Sequence, residues 1–140
     1  MRELPEVKEA KALMTEAVSW SVVKWLQEKK RVRKTADRAN DALDALDQEV
    51  KATWSAELKS AYEAAKTNNT AGSDLGRLAR QLYQADDAAY RMHEDAEETF
   101  DRAERKLSTM MAREGCQKAI RSWELHEQAI RKSESAAQAQ

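Results

Sequence analysis

The chain has almost nothing that would interrupt a helix. Pro5 is the single proline of its 140 residues, and the three glycines are Gly72, Gly76 and Gly115. Neither type occurs between Glu6 and Lys66, so the sequence predicts one helix over about 5–66, roughly 90 Å long at 1.5 Å per residue. A lone cysteine, Cys116, excludes an internal disulfide framework and fits a reducing compartment. The most apolar stretch, Ala17 to Leu26, carries Lys24 and is only about ten residues long, where a bilayer span needs about 20. The opening Met-Arg-Glu-Leu-Pro-Glu is too acidic and polar for a secretory signal, so a cytoplasmic location is expected. Aromatics are scarce at 6%, and a net charge of -1 gives no global pull towards nucleic acid or anionic lipid.

What is abundant is charge, at 35%, beside a 41% hydrophobic fraction rich in alanine. That mixture, with a mean hydropathy of -0.86, describes long helices with narrow apolar stripes in a single domain, 1–140. Val32, Ala36, Ala39, Leu43, Leu46 and Val50 advance by alternating steps of four and three, a coiled-coil seam. Two consecutive fours then lead to Trp54 and Leu58, a stutter that locally unwinds a supercoil. The N-terminal stripe is broader and should touch more than one neighbour.

Thr67 to Asp74 reads as a turn, 67–74, with Ser73 or Asp74 capping a second helix over about 75–132. Its stripe passes through Leu75, Leu78, Leu82, Ala89, Ala96, Phe100, Ala103, Leu107 and Met110, then slips in phase before Cys116. Gly115 lies in that slip and marks a possible break; the tail 133–140 is expected to fray. The fold expectation is therefore all-α: a long, coiled-coil-like antiparallel helical hairpin. Its register sets Phe100 near Ala39 and Leu43, and Trp20 and Trp25 near Cys116, Ile120 and Trp123. Two helices cannot cover so much aromatic surface, so either they fold back on themselves or a second chain covers them, and a homodimer forming a four-helix bundle is the simplest assembly.

The cations cluster. Lys24, Lys29, Lys30, Arg31, Arg33, Lys34 and Arg38 face only Glu28 and Asp37 within their block, and acidic runs follow at Asp41 to Glu49 and Asp86 to Glu104. The expected register lays like blocks side by side, a pattern complementary only between two antiparallel hairpins. The candidate interaction residues are Trp20, Trp25 and Trp123, with Lys29, Lys30, Arg31, Arg33, Lys34 and Arg38 beside them. Nucleic acid is a less favoured partner for this block, because no stacking set or groove-reading motif accompanies it.

Signs of catalysis are weak. His93 lies on the inner stripe near Asp44, Asp47 and Glu97, but a di-iron pattern needs Glu three residues before each His. Tyr90 stands there before His93, and Trp123 before His126. His93 reads as a register-setting polar core residue, His126 as an edge residue and Cys116 as a small buried hydrophobe. Gly72-Ser73-Asp74-Leu75-Gly76 has no preceding strand and no Gly-Lys-Ser, so it is not a phosphate loop. No catalytic, metal-binding or cofactor-binding residue is assigned. The chain is expected to be a non-enzymatic interaction or scaffold module for an unidentified protein partner. The alternatives are a nucleic-acid or anionic-surface binder and a metal-dependent bundle enzyme centred on His93.

Overall fold

A computed structural model describes residues 1–67 and 72–139. They form an all-α antiparallel bundle: α1 (Pro5–Ala17), α2 (Val22–Lys51), α3 (Ala56–Lys66), α4 (Asp74–Lys106) and α5 (Thr109–Gln138). The turn expected over 67–74 falls largely on residues 68–71, outside the described residues. No described helix is long and apolar enough to cross a membrane.

The helix expected over 5–66 is three helices, and serine, not proline or glycine, divides them. Ser21 and Ser55 take extended backbone conformations, and their hydroxyls accept from the amides of Lys24 and Leu58. Such a cap satisfies an otherwise unpaired amide and is worth about 1 kcal/mol. Each cap is preceded by a tryptophan that the break turns inward. Trp20 packs on Trp25 with ring centroids 6.4 Å apart, a hydrophobic staple across the first turn of α2. Trp54 donates from Nε1 to the Ser133 carbonyl at 3.0 Å and meets Tyr62 edge-on. Burying two indoles outweighs the few hydrogen bonds that an unbroken helix would add.

The second break is also displaced. Gly115 lies inside α5, while the chain turns at Leu107 and Ser108. Leu107 adopts left-handed values, φ 51 and ψ 41, and the Ser108 amide returns to the Ala103 carbonyl at 3.1 Å, closing a Schellman-type end. Ser108 then caps α5 through the Met111 amide. Gly115 is small for a packing reason: a Cβ there would come within 2.9 Å of the Phe100 ring. The tail is not frayed, since α5 runs to Gln138 and buries Ser133 and Ala136.

The stretch expected to be the second long helix instead folds into a hairpin of α4 and α5. Ala89, Ala96 and Ala103 on α4, and Gly115, Ser122, Ala129 and Ala136 on α5, recur every seven residues and are buried, so the two backbones can approach closely. α2 packs on α1 and α5, α1 packs on α5 as well, and α3 packs on α4; α2 meets α4 through side chains in antiparallel order, from Trp25 and Phe100 at one end to Lys51 and Asp86 at the other. The helices of one chain thus fold back on one another around a shared core. Its 8260 Å² of accessible surface exceeds the roughly 7,400 Å² of a compact monomer of this mass, as an elongated bundle should.

Two apolar cores result. The larger joins α1, α2, the second half of α4 and most of α5 around Met14, Val32, Leu43, Phe100 and Trp123. The smaller gathers Trp54, Leu58, Tyr62, Leu82 and Ala136. Against the expected register, α4 is displaced towards the start of α2. Phe100, expected near Ala39 and Leu43, stacks on Trp25 at 6.1 Å. The displacement brings opposite charges together: Arg33 reaches Asp101 at 2.8 Å and Glu104 at 3.2 Å, and Lys51 reaches Asp86 at 2.7 Å.

Candidate functional sites: a polar cleft and an apolar end

Between the two cores, α2 and α4 stand apart over α5 and leave a cleft of about 300 Å³. α2 lines it with Asn40, Asp44, Asp47 and Lys51, α3 with Tyr62, and α4 with Asp86, Ala89, Tyr90 and His93; Ser122, Trp123 and His126 of α5 form the floor. The helical spacing of Asn40, Asp44, Asp47 and Lys51 puts all four on one face of α2.

One end of the cleft is closed by a charged knot. Lys51 Nζ donates to Asp47 Oδ2 at 2.8 Å and to Asp86 Oδ2 at 2.7 Å, while the Tyr62 hydroxyl also donates to Asp86. The ammonium lies 5.1 Å from the Tyr62 ring centroid and 5.9 Å from that of Trp54. Burial works against this ammonium, but hydrogen bonds and charge from Asp47 and Asp86 outweigh it and hold Lys51 above its ordinary pKa. Burial, and then the hydrogen bond to Asp86, push the Tyr62 phenol well up. Asp47 Oδ1 is buried with no hydrogen-bond partner among the described residues. Deeper in, Trp123 Nε1 donates to Asn40 Oδ1 at 2.8 Å. At the mouth, Asp44 and Tyr90 are exposed.

His93, Asp44 and Asp47, grouped in the sequence reading, do share this cleft. His126 joins them on the floor and is half-buried. His93 Nε2 lies 3.3 Å from Glu97, but among the described residues no group of three or more His, Cys, Asp or Glu side chains could hold a metal ion. Lys51, Tyr62 and Asp86 were not anticipated. Their meeting depends on the break before α3 and on the displacement of α4, neither of which periodicity reveals. Cys116 is buried, and burial pushes its thiol from 9.0 up to about 12.

The second site is the end of the bundle where α2 begins and α4 turns into α5. Trp20, Trp25 and Trp123, the expected contact residues, are core side chains there and below, only 6%, 5% and 2% exposed. The apolar side chains left in water are their neighbours: Val22, Val23, Leu26, Leu107 and Met110 are 44–76% exposed. Val22, Leu26 and Leu107 border one shallow hollow with Lys29 and with Glu104, which Arg33 engages. Of the basic block, Arg31 is tied to Glu28 at 2.8 Å and Arg33 to Asp101 and Glu104. Lys29, Lys30, Lys34 and Arg38 form no ion pair among the described residues, and Arg105 and Lys106 precede Leu107 at the end of α4. The end is thus an apolar patch with Lys29 and Glu104 at its hollow and further cations on the adjoining turns of α2 and α4 that form no ion pair among the described residues.

No protein-family model matches this chain, and neither does any curated protein or solved structure.

Proposed function

We infer that the protein is a non-enzymatic interaction module that docks an acidic amphipathic helix of a partner protein on its apolar end. The observation that carries this reading is the shared exposure of Val22, Leu26 and Leu107 around one hollow; Val23 and Met110, next in sequence to its lining residues Val22 and Thr109, are exposed as well. An apolar patch rimmed by polar groups is the common mark of an interaction surface. Lys29, Lys30, Arg105 and Lys106 supply the charge that an acidic helix would complement, and such complementarity acts mainly on encounter rate and register. Leu107 adds support: glycine would fit its left-handed corner with less strain, and strained residues cluster at functional positions.

A different protein suits the patch better than a second copy, because folding within the chain already covers the tryptophans that called for a homodimer. Nucleic acid is less suited, since Arg31 and Arg33 are engaged by carboxylates and apolar side chains sit among the remaining cations.

The test uses a labelled amphipathic peptide with leucines at helical i, i+3, i+4 and i+7 spacing and glutamates on its flanks. Fluorescence anisotropy should show binding that weakens with salt and falls by about tenfold or more in Leu26→Glu or Met110→Glu, the loss of one desolvated anchor. Binding insensitive to both substitutions would refute the assignment. Preference for a duplex oligonucleotide, lost on changing Lys29 and Lys30 to Glu, would support the nucleic-acid reading instead.

A further inference from the structure

α3 is attached to the bundle unlike the other helices. α1, α2, α4 and α5 all contribute to the larger apolar core. α3 packs on α4 and places Leu58, Tyr62 and Ala65, with Trp54 just before them, in the smaller one. The polar cleft lies between the two cores, so undoing the smaller takes no buried side chain from the larger. The floor that α3 covers is Ala79 and Leu82 of α4 and Ala136 of α5. Both of those helices are held in the larger core by other residues, Phe100 and Ala103 on α4, Trp123 and Ile130 on α5.

Two polar contacts fasten this unit. The Tyr62 hydroxyl donates to Asp86, and Trp54 Nε1 donates to the Ser133 carbonyl at 3.0 Å. Lys51, at the end of α2, holds Asp86 independently at 2.7 Å. When Tyr62 leaves, Asp86 therefore loses one donor and keeps its cation. The cost is that of one hydrogen bond to a charged group, not of a bare buried charge. The extended backbone at Ser55, ψ 159, separates α3 from α2, so losing α3 need not unwind α2. At 11 residues, α3 is below the roughly 12–15 at which an isolated helix is even marginal in water. Once undocked, it unravels.

We infer that α3, with Trp54, is a latched flap that undocks and unfolds while the rest of the bundle stays native, the Tyr62–Asp86 hydrogen bond being its latch. The open state bares Ala79, Leu82 and Ala136, an apolar strip that the closed state hides, and withdraws Tyr62 from the end of the cleft.

Native-state hydrogen exchange, followed amide by amide by NMR, tests the inference. The α3 amides should exchange at least about tenfold faster than the slowest amides of α2 and α5, as a sub-global opening requires. Two variants separate partial from global opening. Val32→Ala deletes two methyl groups from a fully buried position of the larger core and should speed the slow α2 amides about tenfold. The α3 amides, whose opening leaves that core intact, should change by less than about twofold. Tyr62→Phe keeps the ring and deletes the latch, which disfavours the closed state against every open one. The α3 amides should then speed about tenfold or more. Equal protection of α3 and the larger core would show one cooperative unit and overturn the inference, as would α3 amides that follow Val32→Ala as closely as α2 does. Unchanged α3 exchange in Tyr62→Phe would remove the latch and overturn it too.

Discussion

Gly115→Ala is the substitution whose sign depends most directly on the packing described here. In the middle of a helix, replacing glycine by alanine ordinarily stabilises by about 1 kcal/mol. Here the new Cβ would lie 2.9 Å from Phe100 Cδ1, 3.0 Å from Cε1 and 3.2 Å from Cγ. The ring has nowhere to retreat: Trp25 stacks on it with planes 7° apart, and the Arg33 guanidinium lies 5.3 Å from its centroid. Overpacking a filled core costs about 1–3 kcal/mol, so the expected net loss is about 1 kcal/mol, or about 3 °C in melting temperature for a domain of this length. With Phe100→Leu in place the clash disappears, and the same alanine should raise stability by about 1 kcal/mol. The coupling of about 2 kcal/mol is within the range for residues in contact. Thermal and urea unfolding of the four proteins measure it. If Gly115→Ala raised the melting temperature equally in both backgrounds, the close approach of α5 to Phe100 would be wrong.

Four further outcomes are expected. Lys51→Met leaves Asp47 and Asp86 facing each other without their cation and should cost about 2–4 kcal/mol in urea unfolding; a neutral result would remove the charged knot from the stabilising contacts. Leu107→Gly relieves left-handed strain worth about 1 kcal/mol, so it should hold or raise the melting temperature while weakening the acidic peptide, and a large drop in stability would show that the leucine packs for the fold. The raised Cys116 pKa means that only the unfolded thiol ionises as pH climbs from 9.0 towards about 12, so stability should fall across that window. Cys116→Ala should flatten the fall, and an unchanged slope would argue against a buried thiol. Finally, acrylamide should quench the tryptophan emission poorly at concentrations where sedimentation shows a monomer; ready quenching would mean that Trp20 and Trp25 are not covered within one chain.

Much of the packing was legible from spacing. Val32, Ala39, Leu43, Leu46 and Val50 are buried on α2, and Leu82, Ala89, Ala96, Phe100 and Ala103 on α4, as their periodicity required. The helix ends were not, because neither proline nor glycine marks the breaks within the two long helical stretches. A serine interior to a helix costs only a few tenths of a kcal/mol, so Ser21, Ser55 and Ser108 read locally as helix. What makes the first two of them ends is tertiary, since Trp20 and Trp54, each one residue before a cap, are buried in the core; Ser108 instead follows the left-handed corner at Leu107. A Trp-Ser pair inside an alanine-rich helical run is the signal that was available. The cleft was half legible. His93 with Asp44 and Asp47 follows from an approximate register, but Lys51, Tyr62 and Asp86 meet only after the breaks and the displacement of α4 are known.

The corner at Leu107 and Ser108 makes the α4–α5 hairpin a clasp that can be undone. Leu107 is the only described non-glycine residue with positive φ. Returned to ordinary helical values, it would join α4 and α5 into one rod of about 65 residues, near 100 Å long. Every contact between the two arms could then be remade with the arms of a second copy, which is a domain swap. Such an exchange keeps the same side-chain partners and changes only which chain supplies them. A short strained hinge favours it, so protein concentration and thermal history would set the balance between closed monomers and swapped pairs.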